Sequence, residues 1–300
     1  MHSAVYNGCA VVQLQKNMAF ILESILHTAV MLRDNIAEFL HQNGIWLNKD
    51  LGQHFLIADD VLQAIVDSGD IQPNDLIVEI GPGIGVLTKE LMQKASKVIA
   101  IELDAKLIPL LRKYAVNNAS NGHELTILNQ NALQTELPAN PYKVIANIPY
   151  HITSPLLRHI FLESPCLPTS LTLLIQREVA ETICDTDNAG MLTILVALFG
   201  TPRIVTMVDP SCFLPPPKVD SAVLHIDCLP EAKTDRVTIE EIFKLTKIAF
   251  SGKRKMLSNT LGHLPGGMEH MAAAAIDPKR RPQTLGIDEW IALAQAFRSR

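Results

Sequence analysis

From Asp75 onward, short unbroken apolar runs alternate with stretches whose apolar residues recur at helical spacing. "DLIVEIG", "KVIAIELD", "ELTILNQN", "YKVIANI" and "SLTLLIQ" read as five strands. "VLTKELMQKA" and "AKLIPLLRKYAVNN" read as helices after the first two, and helical stretches follow the last two as well. Runs that are apolar at every position, rather than every second one, belong to strands buried on both faces. Helices between them imply parallel crossovers, so the pattern predicts a parallel sheet covered on both sides. "TPRIVTMVDP" and "KVDSAVLHIDC" follow without a clear helix between them, so they are expected to pair antiparallel and bring the sheet to seven strands.

The flanks read differently. "MLRDNIAEFLHQNGI" is an amphipathic helix stopped by Gly44. Before it, "MAFILESILHTAV" is interrupted by Glu23 and His27 and is too short to span a membrane. It lacks the basic start and small-residue cleavage site of a secretory signal, and translation is expected to begin at Met31. "LPEAKTDRVT" (229–238) is polar and aperiodic, a linker, after which "IEEIFKLTKIAF", "RKMLSNTLG", "GGMEHMAAAAI" and "IDEWIALAQAF" all read helical. In the last of these, Asp288 is well placed in the first turn. The expected division is an extension and helix over 1–47, an α/β domain over 48–230 and a small all-helical domain over 231–300.

Composition narrows the class. With 48% hydrophobic and 19% charged residues in 300, the chain is globular rather than disordered. Its five cysteines are scattered and odd in number, which points to reduced thiols in an intracellular protein, and its histidines form no metal-type pair. No metal is expected. The net charge of −5 is uneven: from Glu231 to Arg300 there are twelve Lys/Arg against eight Asp/Glu, a surplus of +4 that leaves −9 on the remainder. Basic residues are densest at Lys253, Arg254, Lys255 and at Lys279, Arg280, Arg281. These clusters suit a phosphate-binding face, though two solvated helix ends would account for the charge equally well.

Candidate chemistry lies at the strand ends. "EIGPGIGVLT" (79–88) follows the first strand and opens a helix, where open α/β sheets bind ligands. Gly81, Gly83 and Gly85 let the backbone approach a ligand, and Val86 stands where a dinucleotide fingerprint wants Gly or Ala. Glu102, about twenty residues on, is placed to accept from ribose hydroxyls, which nicotinamide and S-adenosylmethionine sites share. Asn131, in "NQNAL" at the third strand end, can accept from an adenine amine. The fourth strand ends in "NIPYHITSPL". The lone pair of an adenine N6 is delocalised into the ring, so two acceptors on its hydrogens would draw that pair out of conjugation. The side-chain oxygen of Asn147 and the carbonyl of Ile148 are candidates, Pro149 stiffens the loop, and Tyr150 offers a stacking face for a flipped-out base. Alone, such a stretch is an ordinary turn.

Seven motifs occur in one order: "LGQHFL", "EIGPGIGVLT", "IELD", "NIPYHITSPL", "LLIQREVAE", "FLPPPKVDSAV" and "AFSGKRKMLSNTL". From about Asn48 to the C-terminus the chain thus resembles the small-subunit ribosomal RNA adenine dimethyltransferases of the KsgA type. The resemblance implies a Rossmann-like S-adenosylmethionine-dependent methyltransferase with a helical C-terminal domain. Such an enzyme dimethylates N6 of two adjacent adenosines near the 3′ end of small-subunit rRNA, late in subunit assembly. It implies that His54 and Leu56 line the donor pocket with Glu79 and the glycines, that Gly81 meets the donor's amino-acid part and that Glu102 meets its ribose. Asn131 would meet the adenine, Asn147 would lie between donor and target, and Phe213 would cover the target base opposite Tyr150. Asn131 stands where the family usually has Asp, and His54 where many members have Asn. A monomeric cytoplasmic protein acting on rRNA is expected. The alternatives are a large-subunit rRNA methyltransferase of the macrolide-resistance type, a non-catalytic rRNA-binding assembly factor, and a small-molecule methyltransferase.

Overall fold

Strand register explains why the apolar runs are continuous. In β2 (Leu76–Ile80), Ile77 packs into one apolar cluster and Val78 into another; in β5 (Lys143–Asn147) and β6 (Ser170–Gln176), Ile145 and Leu174 join the first cluster while their neighbours join the second. Each strand therefore buries both faces. The structure, a computed structural model, describes residues 32–44, 54–116, 123–252 and 254–299. The expectations for the segment before Leu32, the start at Met31, the first three residues of "LGQHFL" and Lys253 lie outside the described residues.

The seven-stranded sheet has the order β4-β3-β2-β5-β6-β9-β7, with β3 at Lys97–Glu102, β4 at Glu124–Asn129, β7 at Gly200–Val208 and β9 at Ser221–Cys228. The strands from β4 to β6 pair parallel, and β9 pairs antiparallel with both β6 and β7. Strand order reverses between β2 and β5, which opens a crevice at their carboxyl ends. One face carries α2 (Asp59–Ser68), α3 (Val86–Lys94), α4 (Ile108–Leu111) and the helix over 32–42, α1, which ends before Gly44 at φ +66°. The other carries α5 (Thr153–Leu162), α6 (Arg177–Cys184) and α7 (Met191–Phe199). Among the described residues, no helix is long and apolar enough to cross a membrane.

Three stretches depart from their expected form. The second helix is regular only over α4 and continues as a π turn over Arg112–Val116. A two-stranded ribbon too short to leave a pattern joins β1 (Phe55–Leu56) to β8 (Phe213–Leu214), pairing Leu56 with Phe213. "RKMLSNTLG" is not a helix but two short 3-10 turns, Leu257–Asn259 and Leu261–His263. Ser258, Asn259, Thr260 and Gly262 are poor helix formers. Here, moreover, the amides of Leu257 and Ser258 are drawn to the carbonyls of Arg280 and Pro278, at 2.8 Å each.

Beyond the sheet, α8 (Arg236–Ala249) opens on Asp235, whose carboxylate accepts from the amide of Thr238 at 3.0 Å. This N-cap cuts the polar linker short by three residues. α9 (Gly267–Ala273) and α10 (Ile287–Arg298) complete the chain, and Arg298 closes onto Asp235 at 3.1 Å. Ile242, Leu245, Trp290 and Leu293 belong to the same buried cluster as the α5–α7 face of the sheet. The helical tail is thus packed onto the sheet's helices through a continuous apolar core.

Candidate active site

The crevice at the strand-order reversal is a cavity of about 580 Å3. Its wall is assembled from the loops after β2, β3, β4 and β5, together with the chain entering β1. The turn after β2 favours glycine. Gly81 and Gly83 sit at φ +67° and +60°, a region costly to residues with a Cβ. The amide of Gly81 donates to Ile101 at 3.0 Å, tying the turn to β3. Gly85 has a different task. A Cβ there would stand 2.7 Å from Leu111 Cδ1, so Gly85 serves the packing of α4 and does not line the cavity.

Two buried carboxylates stand on the wall, with different hydrogen-bond partners. Glu102 at the end of β3 accepts from the amide of Gly83 at 3.1 Å and from that of Asp104 at 2.8 Å. Burial raises its pKa, and these two amides oppose the rise by favouring the charged form. Glu79 in β2 is 1% exposed, and its Oε2 has no hydrogen-bond partner. Burial pushes its pKa up to about 8, against the opposing pull of nearby Thr88, and the charge of Glu102 raises it further.

After β4, Asn131 lines the cavity with its Oδ1 accepting from the amide of Leu133 at 3.0 Å. The oxygen expected to meet an adenine amine is therefore already oriented by its own turn and has one lone pair left. Asn129 pins the neighbouring strand end by donating to the carbonyls of Glu102 and Leu103.

The loop after β5 forms the opposite wall. Asn147 donates through Nδ2 to the carbonyl of His54 at 3.3 Å, which leaves its Oδ1 as the acceptor on the cavity side. Tyr150 begins a 3-10 turn, and its hydroxyl is held by Ser221 Oγ at 2.6 Å, so its ring is fixed. The rings of His54 and Tyr150 lie within 17° of parallel, with centroids 6.0 Å apart. His54 Nδ1 meets the carbonyl of Pro215 at 2.7 Å; a carbonyl only accepts, so Nδ1 carries the proton.

Of the residues expected from the sequence, the wall unites His54, Leu56, Glu79, Gly81, Gly83, Glu102, Asn131, Asn147, Ile148, Pro149 and Tyr150. It does not include Phe213. The pairing of β8 with β1 directs that ring into the core beside Val208 and Val223, where it is 2% exposed. Sequence reasoning missed Leu103, which lines the cavity and is 70% exposed, and Gln130. An apolar residue directly after Glu102 at the end of a strand was the available signal for Leu103.

The basic residues form a separate group. The hydrogen bonds from Leu257 and Ser258 to Arg280 and Pro278 bring the segment holding Arg254 and Lys255 beside that holding Lys279 and Arg281, all four exposed. Arg280 differs: it forms a two-pronged pair with Glu289 and also donates to Thr284.

Comparison with known proteins bears on the family and the fold. A family model described as ribosomal RNA adenine dimethylase matches residues 45–298. The ribosomal RNA small subunit methyltransferase A of Dehalococcoides mccartyi is 37% identical over 278 residues, covering 89% of this chain and 94% of the relative. The protein of that name from Clostridium botulinum is 38% identical over 269 residues, covering 85% and 96%. Among solved structures, a dimethyladenosine transferase from Plasmodium falciparum is 28% identical with a TM-score of 0.71, over 82% of this chain and 98% of that one. The 23S rRNA methyltransferase ErmE, 24% identical with a TM-score of 0.67 over 82% and 100%, shares the fold.

Proposed function

The chain belongs to the ribosomal RNA adenine dimethylase family, and from that premise we propose that it dimethylates N6 of two adjacent adenosines near the 3′ end of small-subunit rRNA. The observation that carries the reading is the meeting, in one cavity, of the glycine turn, Glu102 and the loop from Asn147 to Tyr150.

The residues present fit S-adenosylmethionine. The cavity has the size of a nucleoside-bearing ligand's site, and the buried Glu79 oxygen without a partner suits a cationic ligand. When bound there, S-adenosylmethionine supplies an electrophilic methyl on its sulfonium. Gly81 and Gly83 would hold its amino-acid part, Glu102 its ribose, and Asn131 and Leu103 its adenine, with His54 and Leu56 closing the wall.

Asn147 and its neighbours act on the acceptor. A target adenine leaves its stack and lies against the Tyr150 ring, which Ser221 keeps from turning. Asn147 Oδ1 and the Ile148 carbonyl accept the two N6 hydrogens and so localise the nitrogen lone pair toward the donor side. Pro149 keeps the two acceptors in fixed relation. After the first methyl one N6 hydrogen remains, so a single acceptor serves the second transfer. As the N6 lone pair bonds the methyl carbon the nitrogen becomes positively charged, and this acidic cation gives its extra proton to solvent, so no dedicated base is needed. Orientation and fixed dipoles carry the catalysis.

Arg254, Lys255, Lys279 and Arg281, with Lys253, contact rRNA phosphates, and residues 231–300 form the RNA-binding part. The working form is a cytoplasmic monomer on an assembling subunit. Incubation with labelled S-adenosylmethionine and undermethylated small or large subunits, followed by mapping of the modified nucleotides, tests the reading. Label on two adjacent adenosines of the small-subunit rRNA is expected; label on large-subunit rRNA would move the protein to the macrolide-resistance type, and no label would make it a binding factor.

A further inference from the structure

Glu79 is, among the described residues, the cavity-wall carboxylate with an oxygen that nothing satisfies. It sits opposite Ala100 of β3, 1% exposed, on the α3 side of the sheet. Thr88 reaches it from α3 and Glu102 from β3. The other titratable groups on the wall are His54 ahead of β1, Asp104 and Lys106 beyond β3, and Tyr150 and His151 beyond β5. The contrast with Glu102 is informative. Two backbone amides oppose the effect of burial on Glu102, whereas at Glu79 only Thr88 does so, its Oε2 keeps no partner, and the nearest carboxylate repels a charge there.

We propose that Glu79 reads the charge of the ligand: it keeps its proton without the methyl donor, releases it when the sulfonium cation enters, and so makes the site prefer donor over spent product. The inference rests on the reading of the cavity as an S-adenosylmethionine site. On binding, the Glu79 O–H bond breaks, the electron pair stays on the carboxylate, and the proton goes to buffer. On methyl transfer the S–CH3 bonding pair stays on sulfur, which becomes a neutral thioether. With the cation gone, Glu79 takes a proton back from solvent and the attraction holding the product falls. A group that must neutralise in the dry cavity thereby turns the loss of one charge into product release.

The raised pKa of about 8 sets the window for the test. Below that pH, affinity for the donor relative to S-adenosylhomocysteine rises with pH, by up to about tenfold per unit when one proton is released. The ligand's ammonium is more acidic beside the sulfonium than in the thioether, but at pH 7 it is mostly protonated in both molecules, so it changes the comparison there by only a small fraction of a proton.

Isothermal titration calorimetry at pH 7, in phosphate and in Tris, counts protons released on binding because the two buffers differ in ionisation enthalpy. The expected result is the release of close to one more proton with S-adenosylmethionine than with S-adenosylhomocysteine. In Glu79→Gln, which keeps the shape, this difference disappears and the affinity ratio becomes flat between pH 6 and pH 8. The wild-type comparison decides the matter even if the variant folds poorly. Binding of both ligands with equal proton release overturns the inference alone, as does a difference that survives Glu79→Gln. Binding of neither ligand overturns the inference together with the reading of the site.

Discussion

Gly81 and Asn147, 66 positions apart in sequence, lie close together across the mouth of the crevice. A side-chain carbon on Gly81 would stand 3.6 Å from the Asn147 carbonyl oxygen and 3.5 Å from Pro149 Cδ. The turn assigned to the donor and the loop assigned to the acceptor are therefore adjacent parts of one wall.

Gly81→Ala tests that wall. At φ +67° an alanine costs about 1–2 kcal/mol of stability, while its methyl meets its neighbours at ordinary contact distance and needs no rearrangement. Thermal unfolding should show this modest loss, and donor affinity should fall at least tenfold because the methyl occupies the space the ligand needs. Unchanged affinity would detach the turn from donor binding.

Asn147→Ala should abolish turnover and leave donor affinity within a few-fold, since the side-chain oxygen acts on the target amine. Single-turnover methyl transfer and equilibrium binding separate the two effects. Full activity in this variant removes Asn147 from the chemistry.

Much of this was legible in the sequence, and the exceptions share a cause. The central strands were readable because burial on both faces leaves dense apolar runs such as "LTLLI", where Thr172 is the one polar residue, while β4 and β7 are partly exposed. The glycine turn, Glu102 and the loop at Asn147 were readable because each sits where a strand stops. What escaped depends on contacts between segments far apart. Phe213 carries no local mark of core or site; its place follows from pairing with Leu56 across the ribbon. "RKMLSNTLG" has helical apolar spacing, yet the amides of Leu257 and Ser258 are captured by a loop twenty or more residues away. Arg280 and Arg281 are neighbours in one basic run, and only the position of Glu289 separates their roles.

Those two arginines give a paired prediction. Arg281→Ala should weaken rRNA binding and lower the slope of log affinity against log salt by up to about 0.9, the value of one lost phosphate contact. It should leave thermal stability nearly unchanged, as the side chain is exposed. Arg280→Ala should instead lower the unfolding temperature, because it strands Glu289, whose pKa Arg280 holds down. Equal salt slopes for Arg281→Ala and wild type would show that this face does not touch phosphate.

The stability of the ligand-free protein should fall as pH rises. The Glu79 pKa is about 8 in the fold against an ordinary 4.5, so the fold favours the protonated form. The stabilisation is complete below pH 4.5 and is lost as pH climbs through 8, a loss on the order of a few kcal/mol. Denaturant melts at pH 6 and pH 8.5 should show the decline in wild type and a much flatter response in Glu79→Gln. A variant that declines as steeply as wild type would locate the titrating group elsewhere.

The most direct measurement is a crystal structure with S-adenosylhomocysteine and adenosine bound together. The account predicts the homocysteine portion at Gly81, the ribose hydroxyls on Glu102, and the N6 of the second adenine within hydrogen-bonding distance of both Asn147 Oδ1 and the Ile148 carbonyl. Density for the cofactor outside the crevice between β2 and β5, or an adenine amine turned away from those two oxygens, would contradict it.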